Sequence, residues 1–217
     1  MHLPGDDRIE LAKGPRSPRG LVLMLHGGAE RGLSDIDQRS LAYRRTRWIF
    51  ESIRSRLTDQ EVGVALLRFR VKGWNAGRAK TPSPVIDARE ALARLREEYA
   101  GVPLVLLGHS MGGRTAAWVA DEPGVVGVVG LAPWLPPDDP VAAVTGKHVV
   151  AAHGSRDRIT SARATAAYLR RAEPVAASTR FVDMGPLGHY MFSGVRRWNE
   201  TAVTASLGVL SGDLRHS

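Results

Sequence analysis

The chain has 217 residues, of which 43% are apolar, and it contains no cysteine. A chain of this length can bury a stable core without disulfide bonds, so we expect a single domain over residues 1–217. The lack of cysteine excludes disulfide bonds, thiolate metal sites and a cysteine nucleophile.

The formal net charge is +8, which raises nucleic acid, anionic lipid or an anionic substrate as partners. The basic residues are spread along the chain, and the densest cluster, YRRTRW from Tyr43 to Trp48, lies inside a helical pattern. We therefore expect no nucleic-acid partner. No signal-peptide pattern and no apolar run of roughly 20 residues is evident, so we expect a cytoplasmic protein without a membrane span. Nothing in the sequence indicates an oligomeric state.

Short apolar runs alternate with helical patterns along the chain. The predicted strands are Gly20–His26, Val62–Phe69, Pro103–Gly108, Gly124–Pro133, Lys147–Gly154 and residues 177–184. The predicted helices are Leu41–Leu57, a helix capped by Ser83 that ends at Gly101, Met111–Ala120, Thr160–Arg171 and Val195–Leu210. This alternation predicts an α/β protein with a mostly parallel sheet covered by helices on both faces. Ligands in such sheets bind beyond the carboxyl ends of the strands.

A serine follows the third predicted strand between glycines, in Gly108-His109-Ser110-Met111-Gly112. This is the G-x-S-x-G pattern of a tight strand-to-helix turn, where side chains two residues before and after the serine would collide. Such a turn exposes the Ser110 hydroxyl and leaves the Met111 N–H free at a helix N-terminus. We therefore expect Ser110 to be a nucleophile and Met111 to donate to an oxyanion.

A serine nucleophile needs a base, and seven histidines compete for that role. His2 and His216 lie near the ends of the chain, while His26 and His109 flank glycine turns and are expected to support loops. His189 lies in a loop after the last predicted strand. A base that comes last in the chain fits the order Ser, Asp, His, so we favour His189 and keep His153 as the alternative.

The base in turn needs a carboxylate to orient it. Asp157, in HGSRDRIT, follows the fifth predicted strand. Asp183 also lies beyond a strand end, but it is so near His189 in the chain that a local loop bond would explain it. We favour Asp157.

Three further residues are candidates for the site. The second oxyanion donor is expected in MLHGGAE after the first predicted strand, at the Gly28 N–H or, failing that, at Ala29. Trp74 and Trp134, in loops after the second and fourth predicted strands, are candidates for an apolar substrate pocket, with ordinary loop packing as the alternative.

The segments LHGG, GHSMGG, HGSRDRIT and GHYMF together resemble the α/β-hydrolase superfamily. The likeness is to small, lidless serine hydrolases of the dienelactone hydrolase and carboxylesterase type, and it covers about Gly20 to Leu210. It implies a single-domain α/β-hydrolase fold in which Ser110, Asp157 and His189 form the catalytic triad. Dienelactone hydrolases proper use a cysteine, which this chain lacks. Only Ala132–Gly146 is available where other members insert a cap, so no cap domain is expected.

The expected activity is hydrolysis of a small-molecule ester through an acyl-enzyme, which requires no cofactor and no metal. Two alternatives stay open. The same triad could serve an acyltransferase, a thioesterase or a peptidase. The fold could also carry a non-catalytic protein that binds nucleic acid or another anion.

Overall fold

The computed structural model describes residues 1–77 and 81–213, and its centre is an eight-stranded sheet. The strands are β1 (His2–Leu3), β2 (Asp6–Leu11), β3 (Gly20–Leu25), β4 (Val62–Leu67), β5 (Leu104–His109), β6 (Val125–Leu131), β7 (His148–His153) and β8 (Ser178–Asp183). Their order across the sheet is β1-β2-β4-β3-β5-β6-β7-β8. β2 pairs antiparallel with β1 and β4, and the pairs among β3 to β8 are parallel.

Five α-helices cover the two faces of the sheet. They are α1 (Leu41–Thr58), α2 (Ser83–Glu98), α3 (Met111–Trp118), α4 (Ala162–Ala172) and α5 (Val195–Ser211). Side chains alternate across a strand, so Val22 and Met24 of β3 enter the core beneath α1 and α5. Leu21, Leu23 and Leu25 enter the core beneath α2, α3 and α4. Both faces of the central strands are therefore buried, which explains their continuous apolar runs.

The six predicted strands and five predicted helices are all present, within a few residues of the expected bounds. The structure adds β1 and β2, which the sequence did not indicate. In the polar run DDRIEL of β2, only Ile9 and Leu11 are buried, as expected for a strand near the sheet edge. One local prediction was wrong: α2 begins at Ser83 itself, and Pro82 occupies the capping position.

The connection between β6 and β7 contains one turn of 3-10 helix, Ala142–Val144, and no inserted domain. No domain inserted in this connection therefore covers the carboxyl ends of β3, β5, β7 and β8. Within residues 1–77 and 81–213, no helix has both the length and the apolar character needed to cross a bilayer. His216 lies outside these ranges.

Candidate active site

Ser110 sits in a strained turn between β5 and α3. Its φ and ψ are 54° and −117°, a region that residues other than glycine rarely occupy. Backbone bonds hold this conformation, since the Ser110 N–H donates to the Leu131 carbonyl at 3.1 Å and its carbonyl accepts from Gly113 at 3.0 Å. The serine is 7% exposed. The hydroxyl is thus fixed at the carboxyl end of the central strand.

The glycines around the serine are there because the backbone leaves no room for side chains. A Cβ on Gly108 would lie 2.3 Å from the Gly112 carbonyl carbon, and one on Gly112 would lie 2.1 Å from the Leu25 carbonyl oxygen. Both partners are backbone atoms, which cannot rotate away. The steric reason given for the G-x-S-x-G pattern is confirmed at both positions.

The structure brings His189 to the serine. His189 Nε2 lies 3.1 Å from Ser110 Oγ, although the two residues are far apart in the chain. The imidazole comes from the loop between β8 and α5 and is 6% exposed. A neutral imidazole in this position can accept the hydroxyl proton through Nε2.

Asp157 lies on the other side of the same imidazole. Its Oδ2 is 2.8 Å from His189 Nδ1, and its Oδ1 accepts from the N–H groups of Ile159 and Thr160 at 2.8 and 2.9 Å. Burial of the carboxyl opposes ionisation, but hydrogen bonds from His153, His189 and the two backbone N–H groups outweigh it. Together they hold the pKa of Asp157 well below its usual range. The carboxylate therefore stays charged and can orient His189 through Nδ1–H.

His153 and Asp183, the alternatives for base and acid, have other hydrogen-bond partners. His153 Nε2 lies 3.1 Å from Asp157 Oδ2, and its Nδ1 lies 3.0 Å from Thr165 Oγ1, so this ring contacts the acid and not Ser110. The Asp183 carboxylate accepts from the Gly185 N–H at 2.8 Å, which is a local loop bond.

Thr160 is a part of the site that the sequence reasoning missed. Its Oγ1 lies 2.8 Å from Asp157 Oδ2 and 3.1 Å from His189 Nδ1, at the junction of acid and base. The same oxygen lies 3.2 Å from the Ala132 carbonyl, which follows β6. Because a threonine hydroxyl carries one proton, it donates to either Asp157 Oδ2 or the Ala132 carbonyl at a time. Its position three residues after Asp157, in the turn that the carboxylate caps, was the only signal in the sequence.

His109, next to the serine, supports the loop that carries the base. Its Nε2 donates to the His189 carbonyl at 3.1 Å, and the two rings lie 5.0 Å apart between centroids. Burial lowers the pKa of His109 to about 3, so the ring is neutral at physiological pH. The ring thereby fixes the backbone of His189 without adding a charge beside it.

The loop after β3 approaches the serine closely. A Cβ on Gly27 would lie 3.4 Å from Ser110 Cβ, and one on Gly28 would lie 2.5 Å from the Lys72 carbonyl oxygen. The Ala29 N–H already donates to that same carbonyl at 3.0 Å, so the fallback donor is engaged in backbone pairing. Among the described residues the Gly28 N–H has no such backbone partner, and it stays our predicted oxyanion donor together with the Met111 N–H at the first residue of α3.

Trp74 and Trp134 both pack against Arg114, four residues after Ser110 in α3. The guanidinium carbon of Arg114 lies 4.1 Å from the Trp74 ring centroid and 4.3 Å from that of Trp134. Trp74 is 2% exposed, so the structure gives it a packing position instead of the expected open pocket wall. Trp134 is half-buried, and its backbone N–H donates to the Ser110 carbonyl at 3.0 Å. Substrate contact by Trp134 stays a prediction.

A shallow cavity of about 280 Å³ opens beside His189. The exposed apolar side chains of Ile159, Tyr190 and Phe192 line it, together with Arg156 and Arg158. This surface is both apolar and cationic, which suits an acyl or alcohol group that is neutral or negatively charged.

Comparisons with known proteins identify the fold. A family model described as serine aminopeptidase S33 matches residues 51–155, a little under half of the chain. The matched segment includes Ser110 but ends before Asp157 and His189. No curated protein sequence matches the chain.

Solved structures match over almost the whole chain. Esterase 2 of Thermogutta terrifontis, phosphonylated by cyclosarin, is 14% identical with a TM-score of 0.71. The match covers 100% of this chain and 98% of the esterase chain. A lidless α/β serine hydrolase of Xanthomonas campestris is 16% identical with a TM-score of 0.66, and the match covers 96% and 90% of the two chains. A serine hydrolase homologue of Coxiella burnetii is 15% identical with a TM-score of 0.66, over 94% and 98%. The protein has the α/β-hydrolase fold, in a form without a cap domain.

Proposed function

We propose that the protein is a serine hydrolase that cleaves carboxylic esters of small or medium acyl groups. The observation that carries the proposal is a pair of hydrogen-bond contacts. Ser110 Oγ lies 3.1 Å from His189 Nε2, and His189 Nδ1 lies 2.8 Å from Asp157 Oδ2. All three side chains are almost fully buried, at the ends of different strands. The esterase fold neighbours add support of a general kind, because a fold by itself hosts many functions.

The proposed reaction passes through an acyl-enzyme. His189 Nε2 takes the Ser110 proton as Oγ attacks the ester carbonyl carbon, and the N–H groups of Gly28 and Met111 hold the resulting oxyanion. The tetrahedral intermediate then expels the alcohol, which receives the proton from His189. A water molecule, deprotonated by His189, attacks the acyl-enzyme and releases the carboxylic acid and free Ser110. Asp157 stabilises the imidazolium in both halves of the reaction.

Peptide cleavage is a second candidate, favoured by the match to a serine aminopeptidase model. An aminopeptidase must bind a positively charged α-amino group. The cavity beside His189 carries Arg156 and Arg158, and none of its lining residues is acidic. These cations would repel an α-ammonium group, so the charge of the site supports neutral or anionic acyl esters over aminoacyl substrates.

Labelling with a fluorophosphonate probe tests the proposal. We expect the probe to label the wild type at Ser110 and to leave Ser110→Ala unlabelled. Ser155→Ala, which removes an exposed serine near Asp157, is the matched control and should be labelled like the wild type. Ester turnover should fall on the order of 10⁶-fold in Ser110→Ala. Near-normal turnover in that variant would disprove the assignment.

A substrate panel then separates the two candidates. p-Nitrophenyl esters of increasing acyl length are compared with the p-nitroanilides of alanine and leucine at matched concentrations. We expect kcat/KM for the esters to exceed that for the aminoacyl anilides by several orders of magnitude. The reverse order would show that the protein is an aminopeptidase.

A further inference from the structure

A second cavity, also of about 280 Å³, lies between α1 and α5. It shares Met191 with the cavity beside His189, but Ser110, Asp157 and His189 are not among its lining residues. One wall is the helix α1, and the other is formed by the start of α5 and the loop before it. The lining residues are Arg45, Trp48, Ile49, Ser52, Met191, Val195, Trp198 and Asn199.

Arg45 is a buried cation in this wall. The residue is only 8% exposed, and none of the residues that the structure describes forms a hydrogen bond with its Nε. In the part of the chain that the structure describes, no carboxylate pairs with its guanidinium. Burial lowers the pKa of Arg45, and no neighbouring acid offsets that effect. A buried charge without a counter-ion is unfavourable, so an anion bound at this site would stabilise the guanidinium.

Aromatic rings hold the Arg45 side chain at the cavity. Its guanidinium carbon lies 4.5 Å from the ring centroid of Phe192 and 5.9 Å from that of Trp48. Such cation–π contacts position the group without neutralising it. The N–H donors of the guanidinium remain available to a ligand.

Two further polar groups, in the opposite wall, have no hydrogen-bond partner among the described residues. Within residues 1–77 and 81–213, the buried Trp198 indole Nε1 has no acceptor and the buried Asn199 Oδ1 has no donor. Buried polar groups in folded proteins are nearly always paired. An indole N–H can only donate, and rotation of the Asn199 amide would present its NH₂ group, so both groups suit an acceptor.

The remaining walls are apolar. Ile49, Met191 and Val195, with the rings of Trp48 and Trp198, surround the space next to Arg45. One cation and one indole donor match a single negative charge, whereas a phosphate dianion would need more donors. We propose that this cavity binds a small organic carboxylate, with Arg45 as its counter-ion and the apolar walls around its hydrocarbon part.

Phenylacetate is the probe for this site, and its amide, phenylacetamide, is the neutral control of nearly equal shape. Binding is followed by NMR of the five Trp indole N–H signals of the ¹⁵N-labelled full chain. The signals of Trp48 and Trp198 report on this cavity, and that of Trp134 reports on the neighbourhood of Ser110. We expect phenylacetate to shift the Trp48 and Trp198 signals saturably, and the amide to bind at least about tenfold more weakly.

Arg45→Met should abolish these shifts. Arg44→Met, which removes an exposed arginine from the same helix, should retain them. Three results would overturn the proposal: no saturable shift at Trp48 or Trp198, equal binding of the amide, or undiminished binding by folded Arg45→Met. The comparison of acid and amide on the wild type needs no variant. A shift confined to Trp134 would place the ligand at the active site and also count against the proposal, whether or not Ser110 is catalytic.

Discussion

At the scale of single residues, the acid of the candidate triad is held in place by several hydrogen bonds. Asp157 lies within hydrogen-bond distance of two imidazoles, one hydroxyl and two backbone N–H groups. The sequence pointed to Asp157 and His189 through their order after Ser110. It raised His153 only as the alternative base and did not indicate Thr160, because the contacts of both residues with the carboxylate depend on how the turn after β7 closes.

Replacement of the acid should affect catalysis strongly. Asp157→Asn keeps the size of the side chain but removes the charge that stabilises the imidazolium, and it favours the wrong tautomer of His189. We expect kcat for ester hydrolysis to fall about 10⁴-fold, measured by steady-state kinetics. Asp183→Asn is the control, because the Asp183 carboxylate bonds only within its own loop in the contacts described above, and it should retain kcat within about threefold. A greater loss in Asp183→Asn than in Asp157→Asn would exchange the two roles.

At the scale of elements, the contact of α3 with β3 depends on a glycine. A Cβ at Gly112 would lie 2.1 Å from the Leu25 carbonyl oxygen, so Gly112→Ala must push the helix away from the sheet. We expect the free energy of unfolding to fall by about 3 kcal/mol, measured by urea denaturation. Gly77→Ala is the control, since a Cβ there meets no atom of the described residues within 4 Å, and it should change stability by less than about 0.5 kcal/mol. Equal stability of the two variants would refute the steric account of the turn.

A buried ion pair joins α3 to the loop after β6. Arg114 Nε and Nη2 lie 2.8 and 2.6 Å from the two carboxylate oxygens of Asp139, whose side chain is 3% exposed. Arg114→Met would leave this carboxylate buried without its cation and would also remove the cation–π contacts with Trp74 and Trp134. We expect a loss of about 3–5 kcal/mol in the free energy of unfolding.

The double variant is the control for this ion pair. Adding Asp139→Asn to Arg114→Met removes the stranded charge, so the double variant should be more stable than Arg114→Met in the same urea titration. If the second substitution lowers stability further, the cost of the unpaired carboxylate is not the cause of the loss.

At the scale of the whole molecule, the parts of the fold that could be predicted are those with a buried pattern. β3 to β7 are apolar runs bounded by glycine or polar residues, and each could be located from the sequence alone. β8, STRFVD, was also located, although none of its residues is buried. β2 could not be located, because only alternate residues of an antiparallel edge region are buried and its other side chains are charged. Packing between distant loops could not be predicted from the sequence either. A substrate pocket and ordinary loop packing therefore both stayed open for Trp74, which lies in the core.

The stability of the whole molecule should depend on two buried neutral histidines. Burial lowers the pKa of His26 to about 4 and that of His109 to about 3. At pH 5 both rings are neutral in the folded protein, whereas in the unfolded chain most copies of each bind a proton. The unfolded state therefore binds more protons, and the free energy of unfolding must fall as the pH falls below about 6.5.

Between pH 7 and pH 5, each of these rings should contribute a loss of about 2 kcal/mol. His109→Gln tests this, because the glutamine NH₂ can still donate to the His189 carbonyl but has no proton to gain. Urea denaturation at the two pH values should show that the variant loses about 2 kcal/mol less than the wild type. An unchanged difference would mean that His109 already binds a proton in the folded state. In that case the His109 ring would place a positive charge beside His189, and the neighbour of the proposed base would not be neutral.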